Sequence, residues 1–221
     1  MSIAIAIDGP AGAGKSTIAK LVARRLGFTY VDTGAMYRAV ALAVIQLGKD
    51  PLDKEEVIAV LPSISIGLTS DDKVFLNGKD VTAAIRTPKV TEFSSPVSAI
   101  PEVRTYCVAR QREMANSIDV VMDGRDIGTN VLPQAQVKVF MVASAQTRAH
   151  RRYLELIAKG VKADEKEILD DINKRDYADS NRKYNPLRKA EDAIEIDTSK
   201  MTIAQVVDEV LNVYREKTKS V

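Results

Sequence analysis

Eight residues near the start of the chain, Gly9-Pro10-Ala11-Gly12-Ala13-Gly14-Lys15-Ser16, satisfy G-x-x-x-x-G-K-[ST]. Their flanks turn a pattern into a constraint on the fold. Ile3-Ala4-Ile5-Ala6-Ile7 is apolar and β-branched, ends in Asp8, and reads as a buried strand. The residues from Thr17 to Leu26 have helical apolar spacing. Strand, glycine loop and helix in that order gather backbone N–H groups and the positive end of a helix around an anion. Lys15 brings a full positive charge to the outer phosphates of a ligand, and the Ser16 hydroxyl suits Mg²⁺.

The remaining strands follow from apolar runs separated by helical spacing. Phe28–Val31 leads into Asp32, Asp119–Met122 into Asp123, Val137–Val142 into Ser144, and Ala193–Ile196 into Asp197. The expected fold is α/β: a doubly wound, five-stranded parallel sheet with helices on both faces. Ligands then sit beyond the carboxyl ends of the strands, where each run meets a polar residue. From about Leu61 to Asp80 the rhythm changes. Ile64–Leu68 alternates, Thr69-Ser70-Asp71-Asp72 is turn chemistry, and Val74–Leu76 runs into Asn77-Gly78. This predicts a small antiparallel β insert. Thr82 to Ala99 reads as short helices broken by Pro88 and Pro96, and Pro101 as the first turn of another helix. Thr202 and Gln205 predict a capping box on a last helix running to about Lys217.

Composition excludes some classes. At 221 residues, with 45% hydrophobic and 28% charged residues, one domain with a sizeable core is expected. No run approaches ~18 apolar residues, so no membrane span or membrane partner is expected. The N-terminus lacks a basic segment followed by a long apolar run, so no signal peptide is read. A single cysteine, Cys107, fits a reducing compartment, here the cytoplasm, and reads as a small buried residue. A net charge of +2 gives no case for nucleic acid. The cations cluster, however, around Arg148, Arg151, Arg152, Arg175, Arg182, Lys183, Arg188 and Lys189.

Three readings compete: a kinase of small phosphorylated acceptors, a GTP-dependent switch, and a kinase of small-molecule hydroxyls of the shikimate type. Asn173-Lys174-Arg175-Asp176 matches the guanine-reading N-K-x-D, but it ends a helical run rather than following a strand, and the chain has no Asp-x-x-Gly. A hydroxyl acceptor benefits from a carboxylate base, for which Asp32 is placed, although Asp32 also reads as a helix N-cap. A phosphate monoester is anionic at neutral pH and needs cations instead. Arg38, Arg104, Arg125, Arg175 and Arg182 follow elements that should converge, which favours the phosphate acceptor. His150, the only histidine, lies among arginines and reads as a helix-surface residue.

Ile7-Asp8-Gly9-Pro10, Val31-Asp32-Thr33-Gly34-Ala35-Met36-Tyr37-Arg38, Asp123-Gly124-Arg125-Asp126-Ile127-Gly128-Thr129 and the segment Arg175…Asp179…Arg182 resemble the bacterial cytidylate kinases, a family of nucleoside-monophosphate kinases. The resemblance covers essentially the whole chain. It implies one kinase domain over 1–221: a core (1–60, 100–160, 190–221), an acceptor-binding insert (about 61–99) and a lid (about 161–189). It implies ATP and CMP or dCMP as partners, Mg²⁺ as cofactor, and a monomer. Residues expected at ATP are Gly9, Pro10, Ala11, Gly12, Ala13, Gly14, Lys15, Ser16 and Thr17. Ser95, Arg104 and Asp126 match positions that read cytosine, and Thr33, Arg38 and Arg125 match positions that hold the acceptor phosphate. Asp179 matches a ribose contact, and Arg175 and Arg182 match lid arginines seven residues apart, two helical turns if the helix persists. Lys15, Arg125, Arg175 and Arg182 are the expected catalytic cations. Ser16, with Asp123 through water, is expected at the metal, and one of Arg148, Arg151 and Arg152 at adenine. The sequence departs from the family pattern at Asn130.

Overall fold

The computed structural model describes residues 2–69 and 72–219. In chain order the first half contains β1 (Ala4–Asp8), α1 (Lys15–Leu26), β2 (Thr29–Asp32), α2 (Thr33–Gln46), α3 (Lys54–Val60), β3 (Ile66–Leu68), β4 (Val74–Leu76), β5 (Lys79–Asp80), α4 (Pro88–Ala99) and α5 (Pro101–Ser117). The second half contains β6 (Val120–Gly124), a π-helical turn (Ile127–Val131), β7 (Val137–Val142), α6 (Ala145–Ala158), α7 (Glu165–Asn181), β8 (Ile194–Asp197) and α8 (Ile203–Thr218). The larger sheet runs β2-β6-β1-β7-β8 with every neighbouring pair parallel.

The alternation in Ala4-Ile5-Ala6-Ile7 explains why both faces of β1 are covered. Ile5 and Ile7 pack with Ile18 and Val22 of α1 and with Val207 and Val210 of α8. Ala4 and Ala6 pack on the other face with Val108 and Ala115 of α5 and with Ile127 and Val131 of the π-helical turn. A third core surrounds α2, which is buried along most of its length against α3, β4, α4 and α5. In register, Asp32 lies beside Asp123 and Asp8 beside Gly124, so the polar ends of three strands share one edge.

The insert is a three-stranded antiparallel sheet, β3-β4-β5. Its third strand, only two residues long, was not read from the sequence; Asn77 (φ 50) and Gly78 (φ 78) make the turn before it. Of the turn Thr69–Asp72, Ser70 and Asp71 lie outside the described residues. One expectation needs correction, and one condition, that the helix of Arg175 persists to Arg182, is not met. Pro96 does not break the helix: α4 runs through it, with Val90 and Val97 buried in the α2 core, so packing outweighs the one backbone hydrogen bond that proline forgoes. Arg182 is not on the helix of Arg175, because α7 ends at Asn181 and Arg182 turns extended (ψ 142). The capping box at Thr202 and Gln205 is present.

Candidate active site

Gly14 turns left-handed (φ 86) and starts α1 with no side-chain cap, leaving the first-turn N–H groups to a ligand. Gly9 (φ 147) passes so close to β7 that a Cβ there would lie 2.1 Å from the Met141 carbonyl oxygen. The Lys15 ammonium is buried and donates to the Pro10 carbonyl at 2.7 Å. Burial, with the Arg125 guanidinium nearby, pulls it down to about 7. Arg148 of α6 holds the loop in place. It donates to Ala11 O at 2.8 Å and to Ala143 O at 2.9 Å, and pairs with Asp176 of α7 at 2.7 Å.

Each carboxylate at the strand ends has a distinct task. Asp32 caps α2 through Ala35 N (2.9 Å) and pairs with Arg38 (2.9 Å) and Arg86 (3.3 Å), so both its oxygens are engaged. Asp123 is buried. It accepts from Ser16 Oγ at 2.8 Å and from the Tyr30 hydroxyl at 2.7 Å, and burial pushes its carboxyl up. Ser16 Oγ and Asp123 Oδ2 are oxygen donors of the kind Mg²⁺ takes, and such sites commonly complete the shell with substrate phosphates and water. Among the described residues no cluster of three His, Cys, Asp or Glu side chains could hold a metal by itself.

Asp8 accepts from Ile127 N (2.8 Å) and Gly128 N (2.7 Å) and so fixes the π-helical turn that carries Asp126. Burial pushes its carboxyl up from 3.8 to about 6. A raised carboxyl favours the fold when protonated: the contribution is full below the unfolded pKa of 3.8 and is lost as pH rises through about 6. That shift corresponds to about 3 kcal/mol. Urea unfolding should therefore show the protein gaining up to about 3 kcal/mol on Asp8→Asn between about pH 7 and about pH 4. A difference independent of pH would contradict the account of Asp8.

One cavity of about 860 Å³ runs from the glycine loop to Asp126. Its wall carries Lys15, Arg38, Arg86, Arg104, Arg125, Arg151, Arg175 and Arg182 against Asp32, Asp123, Asp126, Glu155 and Asp179, an excess of cations. Arg104 of α5 pairs with Asp126, and Arg182 reaches the same carboxylate at 3.0 Å. Arg125 pairs with Asp179 at 2.8 Å. The Nε groups of Arg38, Arg104 and Arg175 are buried with no acceptor among the described residues. Burial and the neighbouring Arg125 pull Arg175 down to about 10. Buried, unpartnered guanidinium donors on a cavity wall suit the oxygens of an anionic ligand.

The sequence-predicted Thr33, Arg38, Arg104, Asp123, Arg125, Asp126, Arg175, Asp179 and Arg182 thus join Lys15 and the loop from Ala11 to Thr17 on one wall. Ser95, Gly9 and Pro10 do not line it. On α4 it is Ser94 and Ser98, one turn apart, that face the cavity, and the helical rotation carries Ser95 away from them. Of the three candidate adenine arginines, Arg151 lines the cavity, Arg148 is occupied behind the loop, and Arg152 is exposed beside Glu155. His150 is exposed and contacts Glu165. Asn173–Asp176 lies within α7, not after a strand. Tyr30, Asp8 and Tyr37, whose ring lies 5.6 Å from the Arg104 guanidinium carbon, were given no role at the site from the sequence, although Asp8 and Tyr37 stand in two of the stretches that carry the resemblance.

A parallel sheet with a lysine-bearing glycine loop at its edge, and arginines converging on that loop, defines a phosphate-binding-loop kinase. The fold is shared with a gluconokinase from Sinorhizobium meliloti 1021 (TM-score 0.52, 14% identity, 99% of this chain and 94% of that one). The family model described as cytidylate kinase matches residues 5–216. The chain is 51% identical to a cytidylate kinase of Oceanobacillus iheyensis over 95% of its own length and 93% of the relative's. It is 49% identical to one of Caldicellulosiruptor bescii over 99% and 98%. The chain belongs to the cytidylate kinase family.

Proposed function

We propose that this chain transfers the γ-phosphoryl group of ATP to CMP or dCMP, giving ADP and CDP or dCDP. The observation that carries the reading is the buried Arg104–Asp126 pair, standing at one end of the cavity whose other end is the glycine loop. Cytosine offers an amino donor to a carboxylate and an acceptor edge to a guanidinium. Uracil puts a carbonyl where the amino group was, and two facing acceptors cost about 1–3 kcal/mol.

In this reading Lys15 and the loop hold the ATP phosphates, and Arg151 meets adenine. Thr33, Arg38 and Arg125 hold the CMP phosphate beside them, and Asp179 meets the ribose. A CMP phosphate oxygen attacks the γ-phosphorus, the bond to the bridging oxygen breaks, and its electron pair leaves on ADP. The attacking oxygen is already anionic, so no base is required. That agrees with Asp32 having both oxygens engaged. Arg175 and Arg182 neutralise charge on the transferring group. Mg²⁺, held by Ser16 and by Asp123 through water, would supply charge neutralisation at the β- and γ-phosphates. The insert (about 61–99) serves as the acceptor-binding part and residues 161–189 as a lid that excludes water. No helix among the described residues is long and apolar enough to cross a membrane. A monomeric enzyme of the cytoplasm completes the proposal.

A coupled assay of ADP formation with CMP, dCMP, UMP, AMP and shikimate tests this. CMP and dCMP should exceed UMP in kcat/KM by about ten- to a hundredfold. Preference for UMP, or fast turnover on shikimate, would overturn it.

A further inference from the structure

Asn130 touches the proposed base-reading carboxylate. It closes the turn that Asp126 opens. Its backbone N–H donates to the Asp126 carbonyl at 2.9 Å, and its Nδ2 donates to Asp126 Oδ2 at 3.1 Å. Arg104 donates to that same oxygen, whereas among the described residues Oδ1 receives only Arg182, at 3.0 Å. A carboxylate has about four acceptor positions, two on each oxygen. Arg104 and Asn130 fill both on Oδ2, Arg182 fills one on Oδ1, and one on Oδ1 remains.

We propose that Asn130 is a positioning residue for base selection: by closing Oδ2 it holds the Asp126 carboxylate with a single open acceptor, to which the cytosine amino group donates. The proposal rests on the assignment of Asp126 to the base. Asn130 does not line the cavity and acts through Asp126. Without its amide, Oδ2 regains an open position that water can fill. A bridging water offers its second hydrogen to the carbonyl of uracil and relaxes the discrimination. The turn itself is held without the Asn130 side chain. Arg112 donates to the carbonyls of Asn130 (2.6 Å) and Val131 (2.9 Å), and Asp8 accepts from Ile127 and Gly128. Asn130→Val therefore removes one donor and leaves the backbone its anchors.

The test is steady-state kinetics of the full chain with CMP, UMP and ATP. In Asn130→Val the KM for CMP should rise about three- to tenfold, the CMP/UMP ratio of kcat/KM should fall at least as much, and kcat should change less. The KM for ATP should hold. Asn130→Asp, nearly isosteric, sets a like charge against Asp126 and should weaken CMP further. An unchanged CMP/UMP ratio in both variants, with the parent protein preferring CMP, overturns the role of Asn130 alone. A rise of the ATP and CMP KM values together also overturns it, since that marks general loosening. A parent protein that does not prefer CMP overturns the base assignment instead.

Discussion

Lys15→Met should lower kcat by about a thousandfold while leaving the fold at least as stable. The two effects share a cause. Among the described residues the ammonium has one acceptor, the Pro10 carbonyl, and burial beside Arg125 disfavours its charge enough to bring it down to about 7. The fold therefore bears the charge at a cost, and an apolar side chain of similar length removes that cost. The same desolvation makes the charge effective against a γ-phosphoryl group, because little water screens it. Steady-state kinetics with MgATP and CMP, paired with a thermal melt, separates the outcomes. Retention of more than about a tenth of kcat would remove Lys15 from the catalytic set. A sharply lower melting temperature would show that its charge serves the fold.

Asp126→Asn should lower the CMP/UMP ratio of kcat/KM by about ten- to a hundredfold, and Arg182→Ala should leave that ratio nearly unchanged while lowering kcat. The asparagine keeps one carbonyl oxygen for Arg104 and gains an amide that can donate to the uracil carbonyl. Arg104 keeps an acceptor in this variant and Arg182 keeps the Asn185 carbonyl at 2.6 Å, whereas Asp126→Ala would take from Arg104, only 3% exposed, the acceptor as well as the charge. Arg182 also touches Asp126, but it comes from beyond the end of α7 and lines the cavity with Arg175. Its loss removes a cation from the transferring group rather than the acceptor that reads the base. Equal effects of the two substitutions on base choice and turnover would show that the division of roles is wrong.

The sheet and its ligand-binding edge were legible because strand runs end in Asp8, Asp32, Asp123 and Asp197, a pattern that periodicity and end residues reveal together. The glycine loop was legible because its chemistry is local. Pairing across the cavity was not. That Asp126 would hold Arg104 from 22 positions away and Arg182 from 56 depends on packing that no spacing encodes. The Pro96 expectation failed because proline's local cost was weighed without the buried face that Val90, Ser94 and Val97 give α4. Ser95 was carried over from the resemblance alone, whereas the cavity wall on α4 holds Ser94 and Ser98, and one step along a helix turns a side chain through about 100°. The spacing of Arg175 and Arg182 is two helical turns only if the helix persists, and spacing does not show that α7 stops at Asn181.

Incubation with MgATP and an equimolar mixture of CMP and UMP, resolved by product chromatography and ³¹P NMR, addresses transfer and base choice in a single reaction. The account predicts CDP in at least about tenfold excess over UDP, with ATP consumed one for one and no orthophosphate released. UDP equal to or above CDP, or orthophosphate as the main product, would contradict it.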